Sequence, residues 1–344
     1  LSLSAPVIDV RSPSEYGHAS IPGAFSLPLF TDDERAIVGT LYKQKGKQAA
    51  IKSGLDFFGP KMTDIIAHAE KIAADYKPET PFLVHCWRGG MRSAGIAWLL
   101  ELYGFKVVTL QGGYKSYRRF ALDWFQKTIP MRVIGGYTGS GKTAILSFLQ
   151  QHHEPVIDLE ALAHHKGSAF GHLGEAKQPS QEQFENNLAY ALWKCFDIDQ
   201  AKYVWVEDES QRIGAVNLPI NVFNQKQSGE LYFLDIPFEE RLKTSIALYG
   251  AYEKEQLINA ILRIQKRLGG LETKTAISAL IDGDTAASFA ILLRYYDKYY
   301  GKSLLRKEKA DEQMVRIPCA TASPDNGRMV LQESIKRNNG LTQK

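Results

Sequence analysis

The string GYTGSGKT, from Gly136 to Thr143, constrains the fold more than any other part of the chain. It satisfies G-x-x-x-x-G-K-[ST], with an apolar strand, MRVIGG, running into it and helical periodicity over about 143 to 151 behind it. A Gly-rich turn between a strand and a helix aims several backbone N–H groups at one point, and a phosphate suits that point. Gly136, Gly139, Ser140 and Gly141 would form the wrap, Lys142 would neutralise outer phosphate oxygens, and the Thr143 hydroxyl could hold Mg²⁺. The competing reading, a Gly-rich turn that binds nothing, is weakened because strand, motif and helix coincide. Such a loop reports a phosphate or diphosphate and does not by itself specify ATP. Two later strands end in acids, Asp158 in VIDLE and Glu207, Asp208 and Glu209 in VWVEDES. Acids there can orient a metal or accept a proton, while helix capping accounts equally well for at least two of the four.

A second loop carries different chemistry. HCWRGGMRSAG places Cys86 at the end of the apolar strand PFLVH, with a helix expected from about Ser93. A loop of that length can curl its N–H groups around sulfur, and a helix N-terminus together with Arg88 and Arg92 would favour thiolate over thiol. Gly89 and Gly90 permit the tight backbone that this needs. The alternative is a buried structural cysteine, the common fate of that residue type. Cys86, Cys195 and Cys319 are three in number and unpaired in spacing, which argues against a disulfide framework or a paired-cysteine zinc site. Cys195 lies on the apolar face of YALWKCF and reads as core.

The 344 residues, 44% hydrophobic and 23% charged, suffice for two cores, so two domains are expected. Strands at PVIDV (from Pro6), PFLVH and VVTL (from Val107), with helices at about 61–76 and 93–103, give a first α/β unit over 1–127. A polar stretch from Phe30 to Pro60 fits an insertion on its edge. The pattern restarts at MRVIGG, so a boundary falls near residue 128; strands at PVIDL (from Pro155), YVWVE (from Tyr203) and ELYFLDI (from Glu230), with a helix from Gln181, make a second α/β unit over 128–325. Within it, about 253–306 should be a helical subregion rich in Lys, Arg and Tyr, and 326–344 a C-terminal helix and tail, frayed after Lys336. No apolar run of membrane-spanning length and no signal-peptide pattern is present, which predicts a cytoplasmic protein. The net charge of +4 gives little support for a nucleic-acid partner, so the distribution of charge has to carry that case.

DVRSPSEYGHASIPGAFSLPL, then VHCWRGGMRS, then LQGGY resembles a rhodanese domain in order and spacing over about residues 4–125. The resemblance implies that Cys86 holds the position of that family's chalcogen-carrying cysteine, with Asp9, Arg11 and Glu15 organising the loop. With the P-loop behind it, and with DLEALAHHKGSAFG, QPSQEQFEN and VEDESQRIG between, the chain resembles the tRNA 2-selenouridine synthase family over nearly its whole length. The fold implied is a rhodanese-like α/β domain followed by a P-loop NTPase-like α/β domain with a helical C-terminal subregion.

The resemblance also implies a transferase acting on wobble 2-thiouridine of tRNA. Sulfur is geranylated from geranyl diphosphate, and the S-geranyl group is then replaced by selenium from selenophosphate, supplied by a selenophosphate-producing enzyme. On this reading the residues from Gly136 to Thr143 hold donor phosphate, supported by Arg212 and by His164 to Lys166. Cys86, Arg88, Arg92, Asp158 and Glu207 are the catalytic candidates, with Mg²⁺ at Thr143. Arg241 and the helix RYYDKYYGKSLLRKEK from Arg294 could meet RNA, and Lys115, Arg118 and Arg119 could line a shared cleft, though solvated charge would look the same. The long Phe30–Pro60 insertion and short first strand depart from a free-standing rhodanese. Two rival readings stand: a P-loop kinase or phosphotransferase with a regulatory rhodanese module and Asp158 as base, and a non-catalytic RNA- or nucleotide-binding protein.

Overall fold

A computed structural model describes residues 5–308 and 314–341. The chain divides into two compact units, residues 1–124 with 182–190, and residues 125–181 with 191–344. The division at Trp124/Phe125 lies slightly before the boundary expected near 128, and the grouping of 182–190 with the first unit is announced by no local pattern.

The first unit runs β1 (Val7–Asp9), α1 (Pro13–His18), β2 (Phe25–Ser26), α2 (Asp32–Lys45), α3 (Lys47–Phe58), α4 (Met62–Ala73), β3 (Phe82–His85), α5 (Met91–Tyr103), β4 (Val107–Thr109) and α6 (Gly113–Trp124). Its sheet has the order β2-β1-β3-β4 and every pair is parallel. Parallel strands are covered on both faces by their crossover helices, and β3 is buried at all of its positions. The core joins Ile8, Val84, Phe82, Ile96 and Leu100. The polar stretch from Phe30 to Pro60 is packed onto the domain, as the sequence suggests. It forms α2 and α3, begins with a Thr31–Glu34 capping box, and contributes Phe30 and Phe58 to that same core.

The second unit runs β5 (Met131–Gly136), α7 (Lys142–Gln151), α8 (Leu159–Ala163), α9 (Gln181–Trp193, most of it grouped with the first unit), β6 (Val204–Glu207), the short hairpin β7 (Arg212–Ile213) and β8 (Val216–Asn217), α10 (Ile220–Gln227), β9 (Glu230–Asp235), α11 (Phe238–Tyr249), α12 (Lys254–Leu268), α13 (Gly270–Ile281), α14 (Thr285–Glu308), β10 (Met314–Pro318) and α15 (Asn326–Leu341). The parallel sheet has the order β10-β9-β5-β6. The next strand, β6, pairs on one side of β5 and β9 on the other, so the carboxyl end of β5 is a topological switch point, where open α/β sheets bind ligands. The Gly-rich loop leaves β5 at that end.

Two expectations need correction, on PVIDL and on the C-terminal tail. PVIDL is not a strand of the sheet: it reaches Trp205 through one isolated bridge from Val156, and Asp158 then turns the chain by capping α8. After the helical subregion the chain adds β10, which pairs with β9 at the sheet's edge. The segment after Lys336 continues α15 to Leu341 rather than fraying, held where the buried Arg132 guanidinium donates to Ser334 Oγ at 2.6 Å and Asn338 Oδ1 at 2.5 Å. Residues 342–344 lie outside the described residues.

Candidate functional site

Each unit carries one chemical loop.

Cys86 follows β3 directly and is buried. Its Sγ accepts from the Gly90 N–H at 3.3 Å and lies 3.3 Å from Ser93 Oγ, at the start of α5. Burial pushes the thiol up, but hydrogen bonds from Ser93 Oγ and from the backbone N–H groups of Gly90, Ser93 and Arg88 outweigh it and hold Cys86 below the ordinary thiol value. The loop has no room to relax. At Gly113, with φ +57°, a Cβ would stand 2.3 Å from the Cys86 carbonyl and 2.5 Å from the Gly89 nitrogen. Tyr114 and Lys115 N–H groups bond to the Cys86 and Trp87 carbonyls at 2.8 and 3.0 Å. The LQGGY string is therefore the second wall of the cysteine loop.

Beneath the loop, Arg11 and Asp9 form a buried ion pair, with Nη2 to Oδ2 at 2.6 Å, while Nη2 also donates to the Ala19 carbonyl at 2.6 Å. The Arg11 guanidinium lies 3.9 Å from the Tyr114 ring centroid. Arg92 does not face the sulfur: its Nη1 donates to Glu15 Oε2 at 2.7 Å. Arg88 is exposed, and only its backbone N–H serves the cysteine. The expected electrostatic help from the two arginine side chains is replaced by dipoles of Ser93 and the backbone. A depression of about 400 Å³ opens at Trp87, lined among others by Arg11, Glu15, His18, Arg35 and Glu182.

In the second unit the Gly-rich loop joins β5 to α7, whose first N–H groups have no partner one turn earlier. Lys142 Nζ stands 3.5 Å from the Gly136 carbonyl, and buried Ser140 Oγ has no partner. At Gly139, φ +83°, a Cβ would meet the Arg241 carbonyl at 2.5 Å. Thr143 Oγ1 donates to Glu160 Oε2 at 3.2 Å, and the Glu160 N–H donates to Glu207 Oε1 at 2.6 Å. Glu207 ends β6 almost fully buried with Oε2 unpartnered; burial, then the charges of Asp158 and Glu160, push its carboxyl well above the usual carboxylate range. Burial and the charge of Glu209 push Glu160 up to about 8, against the pull of Lys142. Asp158 is pushed up by burial while its Oδ1 accepts from the Ala161 N–H at 2.7 Å as the α8 cap. Asp208 is structural: it pairs with the buried Lys226 at 2.9 Å and accepts from Tyr300 Oη at 2.8 Å.

Residues 129–316 match the family described as tRNA 2-selenouridine synthase AAA domain, and residues 2–119 match the rhodanese-like domain. A tRNA 2-selenouridine synthase of Hydrogenovibrio crunogenus is 34% identical over 335 residues, covering 88% of this chain and 90% of that protein. Its counterpart in Bdellovibrio bacteriovorus is 35% identical over 345 residues, covering 88% and 89%. The chain belongs to the tRNA 2-selenouridine synthase family. A further relative, from Nitrosomonas europaea, is 40% identical over 241 residues, or 69% of this chain, and the match spans 61% of that relative's length. Membership makes the chain an enzyme, built from a rhodanese-like and a P-loop α/β unit.

Within this family member, several sequence-predicted contacts fall elsewhere. Arg241 is not an RNA-facing residue: it is 4% exposed, clamps Asp297 through Nη1 and Nη2 at 2.8 and 2.7 Å, and donates to the Thr138 carbonyl in the Gly-rich loop at 3.2 Å. Arg118 bonds Glu185 at 2.6 Å and Asn186 at 2.7 Å, all within the first unit, while Lys115 and Arg119 are exposed. Arg212 is exposed and turns back on its own hairpin to the Gly214 carbonyl at 2.9 Å. In the segment from His164 to Lys166, His164 Nδ1 lies 3.0 Å from the Lys177 carbonyl, His165 is buried, and Lys166 pairs with Glu175 at 2.7 Å. In the helix from Arg294, the backbone is described through Glu308, and Lys309 lies outside the described residues.

Residues missed in the sequence are Ser93, Glu160, Tyr300 and Asp297. Glu160 stood two positions after a chosen acid, and its helical position behind the Asp158 cap was the available signal. Tyr300 Oη accepts from the Gly136 N–H at 3.3 Å, a contact across 164 positions that no local pattern encodes.

Proposed function

We propose that the protein converts wobble 2-thiouridine of tRNA to 2-selenouridine in the cytoplasm, through S-geranyl-2-thiouridine, with geranyl diphosphate and selenophosphate as co-substrates. The observation that carries the reading is the pairing, in one chain of this family, of a cradle built for anionic sulfur and a loop built for phosphate. In the first step the uridine sulfur attacks C1 of the geranyl group, the C–O bond breaks, and diphosphate leaves with the bonding electrons. The Gly136–Thr143 loop and Lys142 would hold that leaving group. In the second step selenium adds at C2 of the base, the C2–S bond breaks and geranylthiol departs, while water takes the phosphoryl group. Alkylation makes sulfur a better leaving group, which is why the order is chemically sensible. We assign Cys86 to the second step, with its hydrogen-bond cradle suited to negative charge on a chalcogen.

Mg²⁺ fits the residues present. Thr143 Oγ1 and Glu160 Oε2 lie 3.2 Å apart, so both could face one cation, with the unpartnered Glu207 Oε2 behind them. Bound there, it would neutralise charge building on a diphosphate leaving group.

The test is nucleoside mass spectrometry of 2-thiouridine tRNA incubated with the protein and both donors, each donor also omitted in turn. Geranyl and then seleno products are expected, with Cys86→Ala losing the seleno product and keeping the geranyl one, and Lys142→Ala weakening geranyl diphosphate binding. Unmodified 2-thiouridine throughout, with ADP released against a phosphorylated small molecule, would replace this reading with the kinase one.

A further inference from the structure

The helical part of the second unit carries a surface that the two loops do not use. Helix α14 has two faces. Its inner face is core and anchor: Phe289 and Leu292 are buried, Asp297 holds Arg241 and through it the Thr138 carbonyl, and Tyr300 meets the Gly136 N–H. Its outer face carries Arg294, Lys298 and Lys302, all exposed and four residues apart, a stripe of about 12 Å at 1.5 Å per residue. Tyr295 and Tyr299 stand beside this stripe with ring centroids 4.8 Å apart, and Lys302 Nζ sits 5.7 Å from the Tyr299 ring centroid.

The end of α12 extends the same surface. Tyr299 Oη donates to the Arg267 carbonyl at 3.5 Å, and Arg267 faces Tyr295, while Arg263, Lys266 and Arg267 are exposed. Among the described residues, no ion pair engages Lys266, Arg267, Lys298 or Lys302. That contrasts with Arg132, Lys166, Lys226 and Arg241 of this unit, each matched to a carboxylate. Exposed cations without carboxylate partners, Arg263 resting on His172 Nδ1 at 3.1 Å and Arg267 on Tyr295, lie among partly exposed aromatic rings and fit a polyanion with stackable bases: the cations take phosphates and the rings take unstacked bases.

We propose that this face, formed by Arg263, Lys266 and Arg267 of α12 with Tyr299, Lys298 and Lys302 of α14, is the surface by which the second unit holds the RNA backbone. The proposal rests on the reading of the substrate as tRNA and adds where this unit grips it. Because α14 also anchors the Gly-rich loop, the surface lies on the helix that holds the donor-phosphate site in shape.

The test uses the full chain and a tRNA transcript, with binding followed by anisotropy over a range of salt. The double variant Lys298→Glu/Lys302→Glu and the separate variant Lys266→Glu/Arg267→Glu are compared with Lys336→Glu, a control reversal on α15. Each double variant should weaken RNA binding by about tenfold or more and flatten the salt slope by about 1.5, since each lost phosphate contact removes roughly 0.7–0.9 from it. Geranyl diphosphate affinity should stay within about twofold, because none of these side chains enters the loop. Wild-type affinity in both double variants, or an equal loss in the control, overturns the surface while leaving the tRNA reading in place. Absence of RNA binding by the wild-type chain overturns both.

Discussion

Replacing Ser93 by Ala tests whether the cysteine cradle works through hydrogen bonds rather than through nearby arginines. In the thiol form Ser93 Oγ donates to the Gly90 carbonyl at 3.0 Å and lies 3.3 Å from Cys86 Sγ. On ionisation its proton can turn to the sulfur. A hydrogen bond to a charged group is worth about 1.5–3 kcal/mol, and about 1.4 kcal/mol corresponds to one pKa unit, so the variant should raise the Cys86 pKa by about 1–2 units. The measurement is thiolate absorbance against pH. The other thiols do not obscure it, since burial pushes Cys195 and Cys319 up to about 11. Arg92→Gln should move the same titration far less, because Arg92 is engaged by Glu15. The sign carries to stability: a group lowered on folding stabilises the fold fully above the ordinary thiol value, and this is lost as pH falls through its lowered value. An unmoved titration in the Ser93 variant, or a larger shift in the Arg92 variant, would refute the hydrogen-bond account.

Two further predictions concern the P-loop unit. Glu207 is raised on folding, so the folded state holds more protons than the unfolded one, and stability should fall as pH rises from the ordinary carboxylate range through the raised value; Glu207→Gln should flatten that loss in denaturant titrations at several pH values, and an unchanged slope would show that the carboxyl ionises freely. Asp297→Asn leaves Arg241 buried without its counter-charge. Removing one partner of a buried pair costs about 3–5 kcal/mol, and Asp297 is 23% exposed, so a loss near the lower end, about 3 kcal/mol, is expected together with weaker diphosphate binding by calorimetry. Wild-type stability would mean that water replaces the carboxylate.

Both loops were legible because their chemistry is local. Gly136 to Thr143 must carry glycines, a lysine and a hydroxyl in consecutive positions to wrap a phosphate, and the strand before it and helix after it are encoded by the neighbouring residues. The loop from Cys86 and its apolar strand entry are local in the same sense, whereas the wall that Gly112 and Gly113 give it arises only from contacts across the fold. Charge is less legible than these loops: the partners of Arg92, Arg118 and Arg241 depend on what the fold brings within reach of each guanidinium. Arg241 looked like an RNA contact and proved to be a buried strut of the Gly-rich loop.

The sequence by itself determined two α/β units, their order, and the positions of the cysteine loop and the Gly-rich loop, since each follows from periodicity or from residues adjacent in the chain. Tertiary structure alone decided that Glu160 and Glu207 gather behind Thr143, that the Glu207 carboxyl is pushed well up by burial, and that α14 braces the loop from one face while carrying exposed lysines on the other. Those outcomes depend on burial and on contacts across tens to hundreds of positions. Desolvation and the company of other charges exist only once the chain has closed on itself.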